Sequence, residues 1–234
     1  MNPPKGGVRA ARQRGYSMVE LGAVLVVFGC LGTAYLGALA STEKLREEMG
    51  EQSALSAAEQ QIRAFALREK RLPCPDVAGT GWEDGSCTAA APGTRHRVGG
   101  LPYNTLQMEN PVLQGGGVIR YGVWRHAGSD LGTNQIPATD VDGGPRFLRN
   151  LGMAADPVVT PAPTTNQPFV AGLDANGKAV DCSVVANNPA FVLAVAPLRK
   201  ETPGSQNCFS DETNRGMKAV GRQELLGWIQ SRLY

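Results

Sequence analysis

The chain has 234 residues and a formal net charge of +2, with 29 glycines and 16 prolines. This length allows one medium domain with an additional segment, or two small domains, and the glycine and proline content argues against a helical bundle. The excess positive charge lies in residues 1–15, which contain Lys5, Arg9, Arg12 and Arg14 and no acid, so the remainder carries a formal charge of −2. A nucleic-acid-binding protein with a broadly basic surface is therefore disfavoured.

An apolar run follows the basic start. From Leu21 to Ala40 the sequence LGAVLVVFGCLGTAYLGALA contains no charged side chain. A helix of this length spans about 30 Å, the thickness of the hydrocarbon core of a bilayer, and the preceding basic residues predict a cytoplasmic N-terminus. A cleaved secretory signal and a plain anchor are the simple alternatives. Glu20 argues against both, since a carboxylate within a membrane segment usually marks a function.

The stretch RGYSMVELGAVLVV (14–27) resembles the class III signal of type IV prepilins and pseudopilins. That signal combines a basic leader, a glycine at the cleavage site, an apolar run and a glutamate as fifth residue of the mature chain. The resemblance implies that prepilin peptidase cleaves between Gly15 and Tyr16 and N-methylates Tyr16, and that Glu20 takes part in assembly. The mature chain of that family most often begins with Phe or Met, whereas Tyr16 stands here.

The physical role expected for Glu20 depends on this cleavage. Cutting after Gly15 creates a positive amine on Tyr16, near the depth of Glu20. In the low-dielectric core of a filament, the amine of one subunit and the carboxylate of its neighbour neutralise each other. An acid that is unfavourable in a lone subunit thereby favours the assembled state and sets the register between subunits.

Residues 41–71 are predicted to continue the helix with an amphipathic pattern that ends near Arg71, because Pro73 and Pro75 follow. The predicted fold is α+β and pilin-like, with a long N-terminal helix on a small antiparallel β-sheet head with long loops. The first half of the helix is expected to span the membrane. The apolar face comprises Leu45, Met49, Leu55, Ala58, Ile62 and Phe65, and the opposite face Lys44, Glu47, Glu48, Glu51, Glu59 and Arg63. The predicted segments are a leader (1–15), a transmembrane and assembly helix (16–40), its amphipathic continuation (41–71) and a periplasmic or extracellular head (72–234).

Several segments of the head have recognisable patterns. Strands are predicted at GVIRYGVW and AFVLAVAP, from their β-branched and aromatic residues. A hairpin is predicted over 168–184 with its turn at Asn176-Gly177, a helix over 222–234, and an exposed loop over 152–167. The blocks RLPCPD (71–76), GLPYNTL (100–106) and I-x-Y-x-V (119–123) resemble a subgroup of prepilin-like proteins, mostly minor subunits.

Four cysteines lie beyond the apolar run: Cys74, Cys87, Cys182 and Cys208. An even number without C-x-x-C spacing predicts disulfides and an oxidising compartment. Pairing of nearest neighbours, Cys74 with Cys87 and Cys182 with Cys208, is the favoured connectivity. Free buried thiols and a four-cysteine zinc site are the alternatives.

Catalytic motifs are absent from the sequence, and no cofactor is expected. His96 and His126 are predicted to be loop residues. The weak metal candidates are acidic turns, Asp140 with Asp142 and, as a calcium site, Asp174, Asn176 and Asp181. Turn formation is the simpler explanation of both clusters, because Asp, Asn and Gly are ordinary turn residues and calcium needs a fuller set of oxygens.

The sequence therefore predicts a non-enzymatic structural subunit of a type IV pilus or type II secretion pseudopilus, more specifically a minor pilin. Its expected partners are other pilin or pseudopilin subunits, prepilin peptidase and an inner-membrane assembly platform. Its expected location is the bacterial inner membrane, as a single-pass protein, and then a periplasmic or extracellular filament. One alternative is a tip-located adhesin or DNA-receptor head using Arg95, Arg97, Arg120 and Arg125. An anchored periplasmic enzyme is the other.

Overall fold

The computed structural model describes residues 18–85, 96–111, 113, 116–133, 146–158, 162–172, 182, 184–196, 207–210 and 214–233. Its contacts divide the chain into two compact units, Met1–Leu45 and Arg46–Tyr234.

Helix α1 runs from Met18 to Glu69. In the described part of the chain, no helix is both long and apolar enough to cross a membrane. The prediction of a pilin-like fold with a membrane-spanning first half is therefore wrong, and so is the predicted single-pass location in the bacterial inner membrane. The uncharged stretch of α1 is bounded by Glu20 and Glu43, and the rest of the helix carries charged side chains along its length.

The α+β mixture with antiparallel pairing is confirmed in the unit that begins at Arg46, here called the head. Its main sheet contains four antiparallel strands in the order β1-β2-β5-β7. Strands β2 and β5 coincide with the two strands predicted from sequence. The strands are β1 (Val98–Gly100), β2 (Val118–Val123), β5 (Phe191–Ala196) and β7 (Gly216–Val220).

A second, three-stranded sheet has the order β4-β3-β6. Its strands are β3 (Phe169–Ala171), β4 (Val185–Asn187) and β6 (Cys208–Phe209). Strand β3 pairs with β4 in antiparallel fashion, but β4 begins at Val185, just beyond the hairpin predicted over 168–184. The predicted turn at Asn176-Gly177 lies outside the described residues. Strand β6 pairs with β3 in parallel.

Strand β5 is buried on both of its faces, which explains why its sequence is a continuous apolar run. Phe191, Leu193 and Val195 point into the larger core, which they share with α1. Val192 and Ala194 point to the opposite face, where they pack with Phe209 of β6. Alternation along the strand therefore divides one apolar sequence between two cores.

Two further helices cover the larger core. Helix α3 (Arg222–Leu233) confirms the predicted C-terminal helix and buries Leu225 and Ile229. Helix α2 (Arg146–Ala155) was not predicted, and its last four residues occupy the start of the segment predicted to be an exposed loop. It buries Phe147, Asn150, Leu151 and Ala154, a helical spacing that the sequence does contain.

Within the head, α1 buries its predicted apolar face only from Leu55 onward, since Met49 is 63% exposed. The opposite face is not simply solvated. Glu51, on that opposite face, is 3% exposed and forms an ion pair with Arg215, in which Nη2 of Arg215 lies 2.9 Å from Oε1 of Glu51 without the geometry of a hydrogen bond. Burial raises the pKa of Glu51, Arg215 opposes that shift, and Glu47 adds to it.

Glu59 of α1 forms ion pairs with two basic side chains, one on the same helix and one on β7. Its Oε1 lies 2.7 Å from Nη2 of Arg63, and its Oε2 lies 2.6 Å from Nζ of Lys218 on β7. Burial by itself would raise the pKa of Glu59, but hydrogen bonds from Lys218 and Arg63, with their charges, outweigh burial and lower the pKa below its ordinary value of 4.5. Such a carboxylate stabilises the fold above its unfolded-state pKa and loses that contribution as the pH falls through the folded-state pKa.

We therefore expect Glu59→Gln to lower the free energy of unfolding by about 1–3 kcal/mol at neutral pH, since two charge-assisted hydrogen bonds are weakened. The difference from wild type should shrink as the pH falls from about 5 to about 3. Urea unfolding at several pH values measures it, with the exposed Glu109→Gln as the matched control. A difference that stays constant with pH would show that the Glu59 charge is not responsible.

Candidate functional site

The start of α1 presents apolar side chains without burying them. Successive helical residues are about 100° apart, so these side chains occur on every side of the helix axis, not along one stripe. A helix that is apolar all round is normally buried on all sides. The residues are Met18, Val19, Leu21, Leu25, Val26, Val27 and Phe28, between 56% and 93% exposed.

The predicted processing and assembly residues lie at the same end. Glu20 belongs to the first turn of α1, which begins at Met18, and its side chain is not among those described. Gly15 and Tyr16, the predicted cleavage and methylation residues, lie outside the described residues. The exposed apolar surface therefore begins three residues after the predicted cleavage bond.

In the head, the three blocks singled out in the sequence pack together. Asp76 and Gly100 exchange two backbone hydrogen bonds, of 2.9 and 2.6 Å, which join RLPCPD to GLPYNTL. The buried Tyr121 hydroxyl donates to the carbonyl of Pro73 at 3.0 Å and joins the I-x-Y-x-V strand to the same segment. Burial raises the pKa of Tyr121 well above its ordinary value, so the hydroxyl stays protonated as the donor.

The Asp76 carboxylate organises the loop that follows it. Oδ1 accepts hydrogen bonds from the amides of Ala78 and Gly79, at 3.0 and 2.8 Å, and Oδ2 accepts one from Gly81 at 2.5 Å. Gly81 has φ +79° and lies so close to the Tyr103 ring that a Cβ would be 2.4 Å from it, so only glycine fits there. Asp76 is 4% exposed, and its role in this structure is to fix the backbone.

An ion pair also holds the two ends of the same loop together. The guanidinium of Arg71 makes a bidentate pair with Glu83, at 2.7 and 2.6 Å. Glu83 also accepts a hydrogen bond from the amide of Cys74, and its own amide donates to the Thr105 hydroxyl. Residues 71–83 are thus held at both ends, while the Trp82 side chain within them is 60% exposed.

An open pocket of about 390 Å³ lies where these segments meet the start of β2. Its position shows that the blocks build a concave surface as well as a scaffold. The lining residues are Asp76, Gly79, Gly100, Leu101, Tyr103, Asn110, Pro111, Leu113, Gly116, Gly117, Val118 and Ile119.

A buried ion pair lies in the turn after β2. Arg125 and Asp130 are 0% and 2% exposed, and Nη2 of Arg125 lies 2.9 Å from Oδ2 of Asp130. The side-chain amide of Gln167 accepts from the backbone amide of Arg125 and donates to its carbonyl, both at 2.9 Å. Gln167 was predicted to lie in an exposed loop but is 3% exposed, and no local pattern in the sequence marks this contact.

These contacts bear on the arginines considered for a binding surface. Arg125 is fully buried by its ion pair and is not accessible to a ligand. The Arg120 guanidinium lies over the Phe209 ring, 4.5 Å from its centroid, and donates to the carbonyl of Cys208. Arg97 is half-buried, and Arg95 lies outside the described residues. Of the two histidines, His96 is exposed and His126 stacks on Trp124.

The predicted disulfide between Cys182 and Cys208 is confirmed, with a Cα–Cα distance of 5.7 Å. Cys74 is also disulfide-bonded, and Cys87, its predicted partner, lies outside the described residues. Free thiols and a four-cysteine zinc site are therefore wrong as alternatives for Cys182 and Cys208.

The calcium candidates Asp174, Asn176 and Asp181 lie outside the described residues, as do Asp140 and Asp142. Among the residues that the structure does describe, no group of three or more His, Cys, Asp and Glu side chains is arranged to hold a metal ion.

Comparison with known proteins gives no match: no family model fits the chain, and neither a curated protein nor a solved structure is significantly similar to it.

Proposed function

We propose that this chain is a structural subunit of a type IV pilus or a type II secretion pseudopilus. It is matured by prepilin peptidase between Gly15 and Tyr16, N-methylated on Tyr16, and assembled with other pilin or pseudopilin subunits on an assembly platform. The role is structural and not catalytic. A structural role is supported by the acidic and basic groups of the head described above, because each of them makes hydrogen bonds or an ion pair within the fold. These groups are Arg71, Asp76, Glu83, Arg125 and Asp130.

The observation that carries the proposal is the apolar surface around the start of α1. Seven large apolar side chains are exposed there, on every side of the helix. A dimer or a one-sided docking contact would bury one stripe and leave the others in water. Packing among several neighbouring helices, as in the core of a helical filament, buries all of them, at about 25 cal/mol for each Å² of apolar surface removed from water.

Glu20 gives this packing its register. A carboxylate among apolar side chains is costly unless an opposite charge reaches it. The amine created at Tyr16 of a neighbouring subunit is such a charge, and both groups are compensated only when the subunits are correctly staggered. A leader that is not removed leaves no amine at this position, so cleavage and assembly are coupled.

The head favours a low-copy subunit over the major one. Its described strands have two to six residues each and together make up a small part of the head. A tightly repeated subunit presents short, packed surfaces to its neighbours, whereas a subunit at a filament tip leaves its head free. We therefore propose a minor pilin or pseudopilin.

The experiment is to shear filaments from cells that produce the protein and to determine which form of this chain they contain. The expected result is a small proportion of this chain in the filament fraction, in the mature form that begins at Tyr16. Finding the chain only outside that fraction contradicts the proposal.

A further inference from the structure

The pocket between the Asp76 loop and β2 has the construction of a small-ligand site. Its volume of about 390 Å³ lies within the range of roughly 300–1,000 Å³ that is typical of such sites. Its apolar part consists of Leu101, Leu113 and Ile119, which belong to the core of the head and are at most 6% exposed. The pocket is thus backed by buried residues of the main core.

Two neutral polar side chains line the same pocket, Tyr103 and Asn110. Among the described residues, neither side chain makes a hydrogen bond to the protein, so the phenol and the amide are both available to a ligand. Together they offer donors and acceptors without charge. Gly79, where a Cβ would meet nothing within 4 Å, leaves the backbone open to close approach by a ligand.

The charges of the pocket disfavour an anionic ligand. Of its described lining residues, the one that is charged is Asp76, and neither lysine nor arginine is among them. Three backbone amides already donate to the Asp76 carboxylate. Phosphate and carboxylate ligands therefore lack a counter-charge, and a cationic ligand meets a carboxylate whose oxygens are already engaged.

We propose that this pocket binds a neutral sugar residue of a glycan. A sugar ring has an apolar C–H face, which fits the Leu101, Leu113 and Ile119 surface, and uncharged hydroxyls, which fit Asn110 and Tyr103. The Asp76 loop lines the pocket with Asp76 and Gly79, and its backbone is fixed by the hydrogen bonds described above. A rigid loop keeps the entropy lost on binding small. This activity is independent of the assembly role of α1.

The test uses the purified full-length protein and isothermal titration with cellotriose, maltotriose, mannotriose and chitotriose as neutral probes, and 3′-sialyllactose as an anionic one. At least one neutral probe should bind, and sialyllactose should bind more weakly than that probe. Asn110→Ala should weaken binding about fivefold or more, in line with the loss of one hydrogen bond.

The decisive variant is Val118→Trp, which fills the pocket from a strand position that is 47% exposed. It should weaken binding by about tenfold or more, since the ligand loses the apolar surface. Val158→Trp makes the same change at an exposed valine that does not line the pocket, and it should bind as wild type does. The proposal is overturned if no neutral probe binds, if Val118→Trp binds as well as Val158→Trp, or if a leucine-rich neutral peptide occupies the pocket in place of the sugars.

Discussion

Replacing Glu20 by alanine is expected to leave the head folded and to reduce incorporation of the chain into filaments by about a hundredfold or more. The reason is that the amine of Tyr16 in a neighbouring subunit then lies in an apolar helix core without its counter-charge, which costs about 3–5 kcal/mol. Glu20→Gln, which keeps the size of the side chain and removes its charge, should be nearly as impaired. Quantification of the chain in sheared filaments, relative to the total in the cells, measures the effect.

The matched control is Glu43→Ala, which removes an exposed carboxylate from the same helix. It should be incorporated as wild type is, because its charge is solvated and lies beyond the apolar run. A filament fraction of Glu20→Ala equal to that of Glu43→Ala would remove Glu20 from the assembly mechanism. Unfolding of the head in Glu20→Ala is checked by its thermal midpoint, which should match that of wild type.

The largest effect on stability is expected at the buried pair of Arg125 and Asp130. Arg125→Met leaves the Asp130 carboxylate buried without its counter-charge, so the free energy of unfolding should fall by about 3–5 kcal/mol. Arg125 and Asp130 are 0% and 2% exposed, so in this structure the Asp130 carboxylate depends on protein partners and not on bulk water. Urea unfolding at neutral pH measures the change.

A second variant separates the charge from the packing. In Arg125→Met with Asp130→Leu both charges of the pair are removed, so the double variant should recover at least half of the stability lost in the single one. The exposed Arg46→Met should change stability by less than about 0.5 kcal/mol. A single Arg125→Met variant as stable as Arg46→Met would show that this pair does not stabilise the turn after β2.

The sequence predicts best those elements in which apolar or β-branched residues recur at the spacing of a strand or a helix. Strands β2 and β5 and helix α3 were located from β-branched and apolar spacing alone. Helix α2 has a comparable spacing in RFLRNLGMAA, but the glycine- and proline-rich residues that flank it are typical of a loop and obscure the helical signal. Local patterns of this kind are sufficient because one buried face determines them.

The candidate site depended on contacts that no local pattern encodes. The burial of Glu51 has no local signal in the sequence, because its partner Arg215 is distant in the sequence and reaches α1 only through the position of β7. The role of Asp76 becomes visible only when Gly100 is placed beside it. The membrane-spanning half was predicted from the length of an uncharged run, and the structure does not bear it out. Resemblance located the blocks, and only the packing of the head showed that they form a pocket.

The central claim is that α1 becomes an assembly element after cleavage between Gly15 and Tyr16. Its most direct test is the intact mass of this chain in sheared filaments, with sequencing of its N-terminal peptide by mass spectrometry. The predicted result is a chain that begins at Tyr16 and carries one methyl group on its amine. A filament form that retains residues 1–15, or a mature chain that begins after Ala40, would contradict the claim.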